Sequence, residues 1–122
     1  MFVDQAIYKV LESADLTVYQ DRAPRETPAP YVVFTEISGT LDYAYKAKGL
    51  TSFNFQFACY GSTAGQAAQL RGQVQLLLED VLTDNSQVAG VFAVTQSSAI
   101  DDDTGLFARL LGVDIHYSDD DI

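Results

Sequence analysis

The chain has 122 residues, 48% of them hydrophobic, and a formal net charge of −10 from 17 acidic against 7 basic side chains. That length holds a single core, so one domain over 1–118 is expected, with 119–122 as a frayed acidic tail. Few Lys and Arg are present to displace counterions from a phosphate backbone, which argues against direct, sequence-specific nucleic-acid binding. The single cysteine, Cys59, excludes an internal disulfide and a multi-thiolate metal site, and its apolar surroundings point to a buried, inert thiol. No basic leader precedes an apolar run, and no stretch of about 18 apolar residues occurs. The expectation is a soluble protein without membrane contact, made and used in a reducing compartment.

In chain order, Val3, Ala6, Ile7, Val10, Leu11 and Ala14 recur at helical spacing and predict a helix over 3–13. Asp4 suits the positive end of its dipole. Thr17, Val18 and Tyr19 read as short and extended. Pro24, Pro28 and Pro30 then disfavour helix and make 20–30 a stretched connector into a strand at 31–37, Tyr-Val-Val-Phe-Thr-Glu-Ile. Residues 38–49 carry neither period and read as a long, mobile hairpin connection. From 50 to 60, Thr51, Phe53, Phe55, Phe57 and Cys59 alternate with Ser52, Asn54, Gln56 and Ala58, so one strand face is buried and the other wet.

Gly61-Ser62-Thr63 breaks that strand, and Thr63 with Gln66 suits a capping box for a helix over 63–83. Ala67, Leu70, Val74, Leu77, Leu78, Val81 and Leu82 form its apolar stripe. Strands follow near 90–99 and 106–117, the latter with Phe107, Leu111, Val113, Ile115 and Tyr117 on one side. Asp101-Asp102-Asp103-Thr104-Gly105 makes the turn between them. The order is helix-strand-strand-helix-strand-strand: an α+β fold with an antiparallel sheet and both helices on one face. Phe53, Phe55, Phe57, Leu70, Val74, Leu77 and Val113 are the expected core.

Several fragments of catalytic or ligand motifs have simpler readings. Asp103-Thr104-Gly105 spells the aspartic-protease tripeptide, but two more aspartates precede it and the paired half-domain is missing; a hairpin turn fits better. As a calcium loop, the segment lacks its closing glutamate, since Gly112 stands at that position. His116 is the lone histidine, so a histidine pair is excluded. The Gly61–Gly65 segment lacks the lysine of a phosphate loop.

The segments Val18-Tyr19-Gln20-Asp21-Arg22-Ala23-Pro24 and Pro28-Ala29-Pro30-Tyr31-Val32-Val33-Phe34 resemble the small phage tail-completion (tail-terminator) family. So do the aromatic strand Phe53-Asn54-Phe55-Gln56-Phe57, the step Tyr60-Gly61-Ser62-Thr63 into a helix, and that helix over 64–82. The resemblance runs from the first helix to the last strand. Only the triple aspartate at 101–103 and the acidic tail depart from it.

It implies a structural virion protein, not an enzyme, with no cofactor or metal. Such proteins form rings, usually of six, that cap the tail tube and dock it to the head-completion or connector protein. The chain would then sit in the virion tail or neck, and in the host cytoplasm during assembly. The candidate subunit or partner contacts are Tyr43, Tyr45, Lys46 and Lys48 of the long connection, with Leu106, Ala108 and Leu110 as an outward apolar row. Asp101, Asp102 and Asp103 are candidates for lining a channel or facing a basic partner. The alternative is a monomeric acidic decoy; its acids should spread over one face, whereas here the densest runs, Asp101–Asp103 and Asp119–Asp121, fall in a turn and a tail.

Overall fold

Helix α1 spans Val3–Ser13, the stretch its spacing predicts, and buries Val3, Ala6, Ile7 and Leu11. The computed structural model describes residues 3–41, 50–84, 88–100 and 105–118. Asp4 anchors the start of α1: its Oδ1 accepts from Gln5 N at 3.0 Å and its Oδ2 from Gln20 Nε2 at 3.1 Å. The end is a left-handed cap, with Asp15 at φ 63° while Leu16 N donates to Leu11 O at 3.3 Å. That bond satisfies a terminal carbonyl and turns Leu16 back onto the core.

The chain then forms β1 (Val18–Gln20), which runs parallel to β2 (Tyr31–Leu41) with Val18 opposite Val32. The expected antiparallel sheet is found in part: β1 makes it mixed, and it has five strands, in the order β1-β2-β3-β5-β4. Parallel neighbours need a return crossover. Because β1 is only three residues long, the short connector at 21–30 suffices for it. Asp21 and Glu26 take left-handed backbone conformations there, and the Ala29–Pro30 bond is cis.

β2 continues to Leu41, beyond the predicted 37, and a register shift between Glu36 and Ser38 leaves Ile37 57% exposed. The expected connection therefore begins later than residue 38, and its remainder at 42–49 lies outside the described residues. β3 (Leu50–Gly61) pairs with β2 on one side and β5 on the other, which makes it the middle strand. Its alternation holds: Phe55, Phe57 and Cys59 have no exposure, while Gln56 is exposed. Ala58, read from its parity as wet, faces away from the helices yet is buried.

Helix α2 (Ala64–Asp80) opens on Thr63, whose Oγ1 accepts from Gln66 N at 3.1 Å. Gln66 Oε1 reaches back to Ser62 N at 2.7 Å, one residue earlier than a strict capping box would place it. The helix ends short of the predicted 83, and the chain tightens into a 3-10 turn at Leu82–Asp84. That turn carries Leu82 into the core and leaves Val81 42% exposed, so Val81 does not belong to the apolar stripe.

Strands β4 (Val88–Ile100) and β5 (Phe107–Ser118) complete the sheet as an antiparallel pair. Register shifts in β4 between Val88 and Gly90 and between Ala93 and Thr95 change which residues face the helices.

Both helices share one core with one face of the sheet, as the sequence predicts. Phe34, Phe55, Phe57, Ile7, Leu11, Leu78 and Leu111 lie within it with no exposure. Phe34 and Phe57 stack with ring centroids 5.9 Å apart, and Phe55 lies 6.1 Å from Phe34. Leu70, Val74 and Val113 are buried as expected, whereas Phe53 and Leu77 are only partly buried at the margin.

Gly61 tests the strand-to-helix step. A Cβ built there lies 2.6 Å from Ala67 N, a backbone atom that can move only with α2. Gly61→Ala should cost about 1–3 kcal/mol in denaturant unfolding through overpacking. Gly72→Ala, on the exposed side of the same helix with nothing within 4 Å, should instead stabilise by about 1 kcal/mol. Equal effects from the two would contradict this account of Gly61.

Candidate assembly surface

With both helices on the phenylalanine side, no helix among the described residues covers the opposite sheet face. Register places Tyr31, Val33 and Thr35 of β2 beside Tyr60, Ala58 and Gln56 of β3. Tyr60, Ala58, Gln56 and Asn54 then meet Ala108, Leu110, Gly112 and Asp114 of β5. One end of this face is aromatic: Tyr31 and Tyr60 stack at 4.7 Å, and Tyr19 meets Tyr31 edge-on at 6.3 Å. The other end is polar, with Asn54 Nδ2 donating to Asp114 Oδ1 at 2.7 Å across the two strands. There His116 packs edge-on against Phe92 at 5.2 Å, which makes it a half-buried sheet residue.

The predicted apolar row sits on this face, but not as an exposed patch. Leu106 and Leu110 are half-buried, and Ala108 is only 4% exposed. Ala108 is small and lies between Tyr60 on β3 and Ala99 on β4, so its neighbours cover it. In the single subunit its side chain presents little surface of its own. Tyr43, Tyr45, Lys46, Lys48, Asp101, Asp102 and Asp103 lie outside the described residues, as does the tail at 119–122.

The tyrosine cluster was not singled out from the sequence. Tyr60 shares parity with Asn54 and Gln56, so its side was readable; its pairing with Tyr31 needed the register. Next to the cluster, the connector forms one wall of an open cleft of about 870 Å3, lined by Arg22, Arg25, Tyr31, Val33, Tyr60 and Leu106 among others.

Cys59 lies on the opposite, helix-covered side of β3. Burial pushes its thiol up from 9.0 to about 12, with the Arg71 charge offsetting this in part. The folded state thus favours the neutral thiol. The associated stability is complete below the unfolded value near 9.0 and is lost as pH rises toward about 12. Among the described residues, no three His, Cys, Asp or Glu side chains converge as a metal site would require. No helix among them is long and apolar enough to cross a membrane.

A family model described as "Tail completion protein gp17" matches residues 3–118. The chain belongs to the phage tail-completion family. The match runs from the first residue of α1 to the last of β5, so it includes every element of the fold. No curated protein matches the chain. Membership places this tail-completion protein among structural components of phage tails, with a role in tail assembly.

The buried thiol gives a direct check of the core beside this surface. Cys59 of the native protein should resist a soluble disulfide reagent at pH 8 and react fully once denatured. Rapid native labelling would contradict the packing of β3 under α2.

Proposed function

We propose that this tail-completion protein forms a homo-oligomeric ring, of six subunits, that terminates the tail tube and joins it to the head-neck connector. Family membership over residues 3–118 carries the reading. The helix-free sheet face supports it, because it offers neutral and aromatic side chains for contact in a chain of net charge −10. On this reading the ring contacts copies of itself, the tail tube protein and the head-completion or connector protein. The subunit occupies the tail or neck of the virion, after assembly in the host cytoplasm. Leu106 and Leu110 belong to its contact surface, with Tyr43, Tyr45, Lys46 and Lys48 as further contributors. The monomeric decoy reading gains nothing from the family match.

Particles assembled without the protein should show tails of irregular length that fail to join heads in negative-stain microscopy. Tails of normal, defined length attached to heads would refute the proposal.

The same reading assigns Asp101, Asp102 and Asp103 to an acidic channel lining that lets DNA pass without sticking. A basic lining would hold phosphates through counterion release and slow ejection. Screening over about 8 Å at physiological salt makes any single substitution weak. Changing all three to lysine should slow ejection at low salt, with partial recovery at high salt. Ejection at the wild-type rate in both conditions would remove these residues from the DNA path.

A further inference from the structure

The sheet has two unsatisfied edges, and they differ in shape. At one side β4 forms the whole edge, 13 residues without a single charged side chain, in a chain that is 20% charged. Exposed edges are ordinarily protected by charges, by proline or by a bulge. Past its second register shift, β4 has none of these: Thr95, Gln96, Ser97, Ser98, Ala99 and Ile100 are uncharged, regular and exposed on both faces. Ile100 is 61% exposed, and two hydrogen bonds tie this stretch to α2, Arg71 Nη1 to Ser97 O at 3.3 Å and Gln96 Nε2 to Gln75 Oε1 at 3.2 Å.

At the other side β1 covers β2 only beside Val32, Val33 and Phe34. Residues 35–41 of β2 pair with β3 on their inner side and, among the described residues, with no strand on their outer side. This is a notch seven residues long, closed at one end by β1.

We infer that residues 95–100 of β4 in one copy pair with residues 35–41 of β2 in the next, joining the sheets of neighbouring subunits. The inference rests on the ring reading above and names the contact that closes the ring. Strand directions support it. β3 runs opposite to both β2 and β5, and β4 runs opposite to β5, so β4 and β2 point in opposite senses within one sheet. Continuing the sheet into an unflipped neighbour therefore makes an antiparallel pair.

Lengths are compatible, six regular residues of β4 meeting a seven-residue notch that carries the register shift between Glu36 and Ser38 and the charge of Glu36. Because β1 closes that notch beside Phe34, the incoming strand must stop there, and the staggered register this imposes is what closure of a sheet requires. The contact joins two different surfaces of one chain, the arrangement that generates a ring when the rotation between neighbours closes.

Hydrogen exchange on the chain in solution and in purified tails tests this. In tails, the amides of 35–41 and 95–100 that point away from the existing sheet, about every second one, should exchange at least about tenfold more slowly than in the free subunit. Assembly with neither segment protected overturns the edge pairing and leaves the ring intact. Protection of 95–100 alone means that a strand of another tail protein occupies β4, and it overturns pairing between copies. A chain that enters no assembly overturns the ring and the pairing together. As a second arm, Thr95→Glu with Ser97→Glu should keep the subunit's circular dichroism and melting but lower incorporation into tails about tenfold, charge being the usual edge deterrent. Gln73→Glu, on the exposed side of α2, should incorporate normally. Undiminished incorporation of the double variant overturns the proposal.

Discussion

Phe34, Phe55 and Phe57 pack ring against ring on the two strands at the heart of the sheet, and the other elements are arranged around them. Truncating any one to alanine would forfeit about 3–5 kcal/mol, a large share of the stability of a domain this size. Ile7 and Leu11 of α1 and Val74 and Leu78 of α2 complete that core from the helical side. Because strand side chains alternate, filling one face with phenylalanine commits the intervening residues to the other. The helix-free surface is thus a consequence of the aromatic core.

That consequence shapes the chain's capacity to assemble. Among the described residues, the domain satisfies its own core on one side, and no helix covers the reverse of the sheet and no strand pairs with two stretches of its edge. Tyrosines occupy the reverse face near the connector, and the Asn54–Asp114 hydrogen bond occupies it farther along. Charge is largely kept away from these places: β3 and β4 have no charged residue, even though the net charge is −10. A surface with so little charge, Asp114 and Glu36 apart, suits contact with other tail components, in keeping with membership of the tail-completion family.

Much of this was legible before the structure. The period of 3–13 gave α1, and Thr63 with Gln66 announced the start of α2, because both signals are local. The phenylalanine alternation gave the buried face of β3, since a period of two leaves one choice of side. The features that escaped depend on partners distant in sequence. β1 is three residues long, and it becomes a strand only because Val32 and Phe34 lie beside it. The exposure of Val81 depends on the tightening at Leu82–Asp84, which helical spacing does not encode. Ala108 was expected outside from its parity, and parity was right about its side. Its burial comes from Tyr60 and Ala99, one on each neighbouring strand.

The claim that this chain is a ring-forming tail-completion subunit is tested most directly by cryo-electron microscopy of intact particles. The account predicts one ring of this chain at the head-proximal end of the tail tube, with α1 and α2 covering only the phenylalanine side of each subunit and the reverse face or edges held by neighbours. Copies spread along the tube, or a single isolated copy with its sheet face and edges open to solvent, would contradict it.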